Sequence, residues 1–243
     1  MAEEEAIGSI DLSSKGLKKL DKAVGDQNHA TVLILDDNEL QRLDNVGTYL
    51  GLQKISAVRN QLIRMYGVSK LQNLTSLNLA HNNLVGIEGL KELVNLRWLC
   101  LSGNNVKAID HLNTNINLEH LDLSENNIGC ISDLSHLQNL KELLLHGNRI
   151  SSLQFCQKYL PMSLESLSLA DNRIADLNEV SHVSHLPVLR EFTIAGNPCV
   201  AAATAVATHP HTPGHGFDYR PFVINWCMNL RVLDGYIVDA KER

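Results

Sequence analysis

The residues best equipped for covalent chemistry in this 243-residue chain are Cys100, His120 and Asp122. A thiol, an imidazole and a carboxylate can form a nucleophilic set, in which the base takes the thiol proton and the carboxylate orients the base. Three more imidazoles, His209, His211 and His215, fall close enough in the chain to share a metal. No cysteine or carboxylate joins them, and ligands on an irregular segment must first be ordered, so loop composition is the simpler reading. The five cysteines, Cys100, Cys130, Cys156, Cys199 and Cys227, are odd in number, far apart and free of any Cys-x-x-Cys. That spacing indicates neither a disulfide framework nor a zinc site, and it fits a reducing compartment.

Whether the thiol, imidazole and carboxylate can act together depends on the elements that hold them, and a repeat sets those elements. Asn38, Asn60, Asn82, Asn104, Asn126 and Asn148 follow one another at intervals of 22 residues, and Asn172 and Asn197 continue the column at intervals of 24 and 25. Around each runs L-x-x-L-x-L-x-x-N-x-L-x-x-I-x-x-L, complete in Leu118, Leu121, Leu123, Asn126, Ile128, Ile131 and Leu134. A coil of this size cannot bury its apolar residues alone, so coils must stack and share one core. The predicted fold is an α/β repeat solenoid, a leucine-rich-repeat horseshoe. Each central L-x-L is a short strand of a concave parallel β-sheet, and the convex return is mostly 3₁₀ or turn with little α-helix. The asparagine has donors and acceptors enough to satisfy main-chain groups where the coil turns inward.

The chain divides accordingly into an acidic, disordered tail over 1–8, about nine coils over 9–198, a flexible insertion over 199–216 and a C-terminal cap over 217–243. The first coil, with Ile10, Leu12, Leu17 and Leu20, is atypical because Lys15 stands where asparagine would, as suits an end that faces water. In the cap, Tyr219, Arg220 and Pro221 through Trp226 read as a short helix. Leu230, Val232, Leu233, Asp234 and Gly235 read as a final strand.

With the register fixed, side chains six, four and two positions before each asparagine point out of the core. In the middle of the stack these include Asn78, Trp98, Cys100, His120, Asp122, Glu142, Leu144 and His146, the expected partner-binding set. Trp98 is the expected anchor, with Leu144 beside it and an acidic polar surround, which is how protein interfaces are built. The same geometry argues against an enzyme. A sheet face offers no spare main-chain donors for an oxyanion and no deep pocket, so neither catalysis, a cofactor nor a metal is expected. Lys15, Lys18, Lys19, Lys22, Lys54, Arg59, Arg64 and Lys70 are read as a solvated edge.

Composition agrees with a folded binding module. Apolar residues make up 44% and charged residues 20%, ample for a core, and the net charge of -6 disfavours nucleic acid, whose binding needs neutralised phosphates. The acidic start and the absence of a long apolar run predict a soluble, intracellular protein with no membrane contact, and the chain is expected to be monomeric in isolation. Asn73-Leu74-Thr75 is then a chance glycosylation sequon.

The stretches GLKELVNLRWLCLSGNN, LLLHGNRI, NPCV and GFDYRPFVINWCMNLRVLDGYIV resemble the N-terminal leucine-rich-repeat domain of the centrosomal protein of 97 kDa family, over a span read as Ile10 to Val238. The most specific part is the cap from Phe217 to Val238. The resemblance implies a centriole component in the cytoplasm and cytoskeleton. It would act with a coiled-coil centriolar protein of 110 kDa, or with tubulin at microtubule ends, to cap the distal end, limit centriole length and restrain cilium assembly. Calmodulin would be bound only through IQ segments that lie beyond this domain in the family. The family gives no ligand residues to carry over. Likeness of repeat class alone keeps two alternatives open, a regulatory subunit of a protein phosphatase and a splicing adaptor.

Overall fold

A computed structural model describes residues 8–205 and 218–243. The expected acidic tail, except Gly8, and the His209, His211 and His215 segment lie outside the described residues. The chain forms two compact units, Met1–Asp122 and Leu123–Arg243.

In the first unit each apolar-x-apolar triplet becomes a three-residue strand: β1 Ser9–Asp11, β2 Val32–Ile34, β3 Lys54–Ser56, β4 Ser76–Asn78, β5 Trp98–Cys100 and β6 His120–Asp122. Every strand pairs parallel with the next, and the middle residues face each other in register, Leu33 with Ile55, Ile55 with Leu77, Leu77 with Leu99 and Leu99 with Leu121. Those middle side chains are buried, each contributing about 2 kcal/mol of transfer free energy. The chain returns through 3₁₀ turns at Gly25–His29, Val46–Thr48 and Val68–Lys70.

The asparagine column does what its spacing predicts. Asn82 Nδ2 donates to the carbonyls of Ala57 at 2.9 Å and Leu79 at 3.0 Å, while its Oδ1 accepts from the Leu62 amide at 3.0 Å. Each amide thus ties its own coil to the one before. At the front, Asn38 Oδ1 accepts from the Lys15 and Leu17 amides and so ties the first coil to the second. The residue before each asparagine has a positive φ, Asp37, Arg59, His81 and Gly103 in this unit, and so does Ser14 before Lys15 in the first coil. The inward turn therefore passes through the left-handed region in each of these coils, whichever side chain stands there.

The second unit repeats the scheme with β7 Glu142–Leu144, β8 Ser166–Ser168, β9 Glu191–Thr193 and β10 Val232–Leu233, the neighbours among β7 to β10 running parallel. Asn148 Nδ2 joins the Leu123 and Leu145 carbonyls, each at 3.0 Å, and Asn197 Nδ2 joins those of Leu169 and Ile194, each at 2.8 Å. This unit adds three details to the regular scheme. The 24-residue coil after Asn148 uses its extra length for a short helix, α1 Cys156–Tyr159. The segment expected as a flexible insertion over 199–216 opens with a helix, α2 Pro198–Ala205, which starts directly after Asn197. Finally, β10 is followed by β11 Tyr236–Ile237, which pairs antiparallel with it, so the cap ends in a hairpin where a single strand was expected. The tight turn uses Asp234 and Gly235, both with positive φ as such hairpins require.

The cap helix α3 spans Tyr219–Trp226, and Asp218 accepts from the Arg220 amide at its start. Its first turn is fastened to the hairpin. The Tyr219 hydroxyl donates to Asp234 Oδ2 at 2.7 Å, and the Arg220 guanidinium donates to the Leu233 carbonyl at 2.9 Å and pairs with Glu242.

Candidate protein-binding surface

Strand alternation decides what the sheet face displays. In β5, Leu99 is turned into the core and Trp98 and Cys100 to the other side; in β6, Leu121 is inward and His120 and Asp122 outward. The parallel register sets Trp98 opposite His120 and Cys100 opposite Asp122. The two rings stack, with centroids 4.9 Å apart and planes 7° from parallel, an offset arrangement favoured by aromatic quadrupoles.

Trp98 is half-buried. Its side chain packs on a small apolar floor of Val58, Ala80 and Cys100, which are 9%, 6% and 6% exposed. Two of these, Val58 and Ala80, hold the last outward position of their coils, so an outward register position is not always an exposed one. The floor was not legible in the sequence, because it exists only when a large ring covers small residues of its own and earlier coils.

Cys100 needs a correction. Expected as a contact residue, it is part of that floor and buried. Its Sγ lies 3.4 Å from Asp122 Oδ2, and burial, followed by the Asp122 charge, pushes the thiol up to about 12. A nucleophilic cysteine needs the opposite shift, toward thiolate at neutral pH. His120, the required base, is engaged in the stack on Trp98.

The remaining polar residues of this unit are held locally. Asn78 Oδ1 accepts from the Ala80 amide at 3.1 Å, and Asp36 Oδ1 accepts from Ser56 Oγ at 2.6 Å and the Val58 amide at 2.8 Å. The other expected site residues belong to the second unit. Glu142 and Leu144 flank the buried Leu143 on β7, both half-buried, and His146 Nδ1 lies 3.2 Å from Ser168 Oγ, which also bonds Thr193 Oγ1 at 2.7 Å. Among the described residues, no group of three or more His, Cys, Asp or Glu is placed to hold a metal, and no helix is long and apolar enough to cross a membrane.

Stacked parallel coils joined by buried asparagines, with side chains displayed on the strand face, define a repeat protein of the leucine-rich class. The family described as Leucine-rich repeat matches residues 94–243, more than half of the chain, and a second leucine rich repeat family matches 63–106. The chain belongs to the leucine-rich-repeat family. Its repeat domain is similar to Centrosomal protein of 97 kDa, at 47% identity over 93 residues in Mus musculus, 48% over 93 in Homo sapiens and 49% over 92 in Xenopus laevis. Each alignment covers 38% of this chain, a shorter span than the one from Ile10 to Val238 that the local wording suggested, and only 10% of the relative. Among solved structures, an internalin C2 of Listeria monocytogenes has a TM-score of 0.65 at 22% identity, covering 86% of this chain and 81% of its own. Another internalin of that organism has a TM-score of 0.53 at 19% identity, covering 90% and 52%. At such identities the likeness concerns the fold.

Proposed function

We propose that this chain is a non-enzymatic protein-binding scaffold of the centrosome, and that the strand face carrying Trp98 holds its partner. One observation carries the reading. Trp98 sits on the outward side of β5, braced by the Val58, Ala80 and Cys100 floor and by the His120 ring. An aromatic held in place in this way gives up little side-chain entropy on docking, which is the property of an interface anchor. The protonated, buried Cys100 thiol supports the non-enzymatic part of the reading.

Similarity to the repeat domain of Centrosomal protein of 97 kDa supports the cellular setting. In this proposal the protein works in the cytoplasm and cytoskeleton at the centriole. It helps cap the distal end, limits centriole length and restrains cilium assembly. Its partner is a coiled-coil centriolar protein of 110 kDa, with tubulin the competing candidate. The test is a pull-down of that centriolar protein with the wild-type chain, with Trp98→Ala and with Trp98→Ala/Asp122→Ala, with circular dichroism confirming the fold. Loss of capture by folded variants is expected; undiminished capture rejects the surface.

A further inference from the structure

The charge of the strand face is one-sided. In the first unit the outward strand positions carry the carboxylates of Asp11, Asp36 and Asp122 against the single ammonium of Lys54. In the second unit they carry Glu142 and Glu191 with no lysine or arginine. Each of these side chains is half-buried or exposed and none forms part of the core. Imidazoles at His120 and His146 and the buried thiol of Cys100 complete the titratable groups on these positions.

The Trp98 site adds a second feature to this charge. Two planar rings already stacked at 4.9 Å present an aromatic surface on β5 and β6, and Asp122 lies one strand across and two residues along from Trp98. That diagonal spans roughly 7–8 Å between side-chain bases, within reach of one long side chain. A side chain that exploits both parts must be flat, cationic and able to fork onto a carboxylate. A guanidinium meets those terms: it is planar, weakly hydrated, stacks on aromatic rings and pairs with carboxylates through two parallel donors. An ammonium meets only the charge requirement, and a carboxylate or a purely apolar side chain meets less.

We propose that the partner segment held on this face is basic, and that one of its arginines stacks against the Trp98 and His120 pair while its guanidinium engages Asp122. The proposal rests on the reading of this face as a docking surface and specifies what that surface selects.

The probes are three short synthetic peptides in which serine alternates with arginine, with lysine or with glutamate. They are titrated into a Trp226→Phe form of the whole chain at mildly alkaline pH, where the remaining indole fluorescence reports Trp98 alone. The arginine peptide is expected to change that fluorescence saturably and to bind about ten-fold more tightly than the lysine peptide, while the glutamate peptide leaves it unchanged. Asp122→Asn should weaken the arginine peptide by about five- to ten-fold with the circular dichroism unaltered, and added salt should weaken it further. Equal binding of arginine and lysine peptides, or arginine binding indifferent to Asp122→Asn by fluorescence and to Trp98→Ala by isothermal titration calorimetry, overturns the proposal. Failure here and failure of the docking reading remain separable. If Trp98→Ala abolishes capture of the centriolar protein while Asp122→Asn and salt do not affect it, the docking surface stands and its basic selectivity falls. If the arginine peptide binds as described but capture ignores Trp98→Ala, the selectivity stands and the docking reading falls.

Discussion

Asp234 and Tyr219 close the C-terminal end of the fold together: the phenol donates to Asp234 Oδ2 at 2.7 Å, while Asp234 Oδ1 accepts from the amides of Ile194 at 2.7 Å and Ala195 at 2.8 Å. One carboxylate therefore joins the last coil, the terminal hairpin and the cap helix. Asp234→Ala removes the acceptor for three donors at once and should destabilise the second unit by about 2–4 kcal/mol. Tyr219→Phe removes only the phenolic donor and should cost about 1 kcal/mol. Urea unfolding of both variants measures this; equal losses would show that the carboxylate is no hub.

Asn82 should be nearly irreplaceable, even by its closest isostere. Asn82→Asp keeps an acceptor for the Leu62 amide but loses the donors to the Ala57 and Leu79 carbonyls, and it brings a charge into a buried site. A loss of about 3 kcal/mol or more is expected from the unpaired carbonyls and the desolvated carboxylate. The stability of Asn82→Asp against wild type across acidic pH checks it, and the deficit should narrow as the new carboxyl is protonated.

Gly103 has a positive φ of 66°, and a Cβ built there would sit 2.4 Å from His81 Nδ1. The His81 ring occupies the space that the missing side chain leaves in the next coil. Gly103→Ala should cost about 1–2 kcal/mol, part from the backbone region and part from displacing that ring. In the double variant with His81→Ala the second part should disappear, so thermal unfolding of the four proteins of the cycle ought to reveal coupling between the two sites. Strict additivity would mean that the ring moves aside freely.

Burial holds Cys100, Cys156 and Cys227 protonated up to about 12, from an ordinary value near 9, with Asp122 adding to the effect at Cys100 and Glu179 at Cys156. These thiols have a folded-state pKa above the unfolded one. Unfolding therefore releases protons above pH 9, and the stability they provide is complete below pH 9 and lost progressively from there toward pH 12. Denaturation midpoints measured from pH 7 to 11 should fall only on the alkaline side. In the native state a disulfide reagent at mildly alkaline pH should modify Cys130, the exposed thiol, within the mixing phase, and the four buried ones, Cys100, Cys156, Cys199 and Cys227, only as the protein opens.

The stacking of coils was legible in the sequence because it depends on a column of identical groups at nearly constant spacing, and Asn38 to Asn197 declare both the period and the inward side. Side chains whose state depends on how a large neighbour lies across them were not legible. Cys100 and Val58 occupy outward register positions and are nevertheless covered, because the Trp98 ring lies against them. Asn115 was missed for a related reason. It interrupts a column of buried leucines, Leu71, Leu93 and Leu137, is itself fully buried, and donates to the Leu90 and Leu93 carbonyls at 2.9 and 3.0 Å. The α1 helix and the antiparallel β11 fall where the spacing deviates from 22, so a rule drawn from the regular coils could not place them.

A stack of parallel coils has no inherent length, since the last strand of any array offers an edge onto which one more coil could be laid in the same direction. By folding back on β10, β11 presents a strand of reversed polarity and the wrong spacing of donors and acceptors for a further copy of the repeat. The turn at Asp234 and Gly235 thus acts as a stop mark for the run of parallel strands in the second unit.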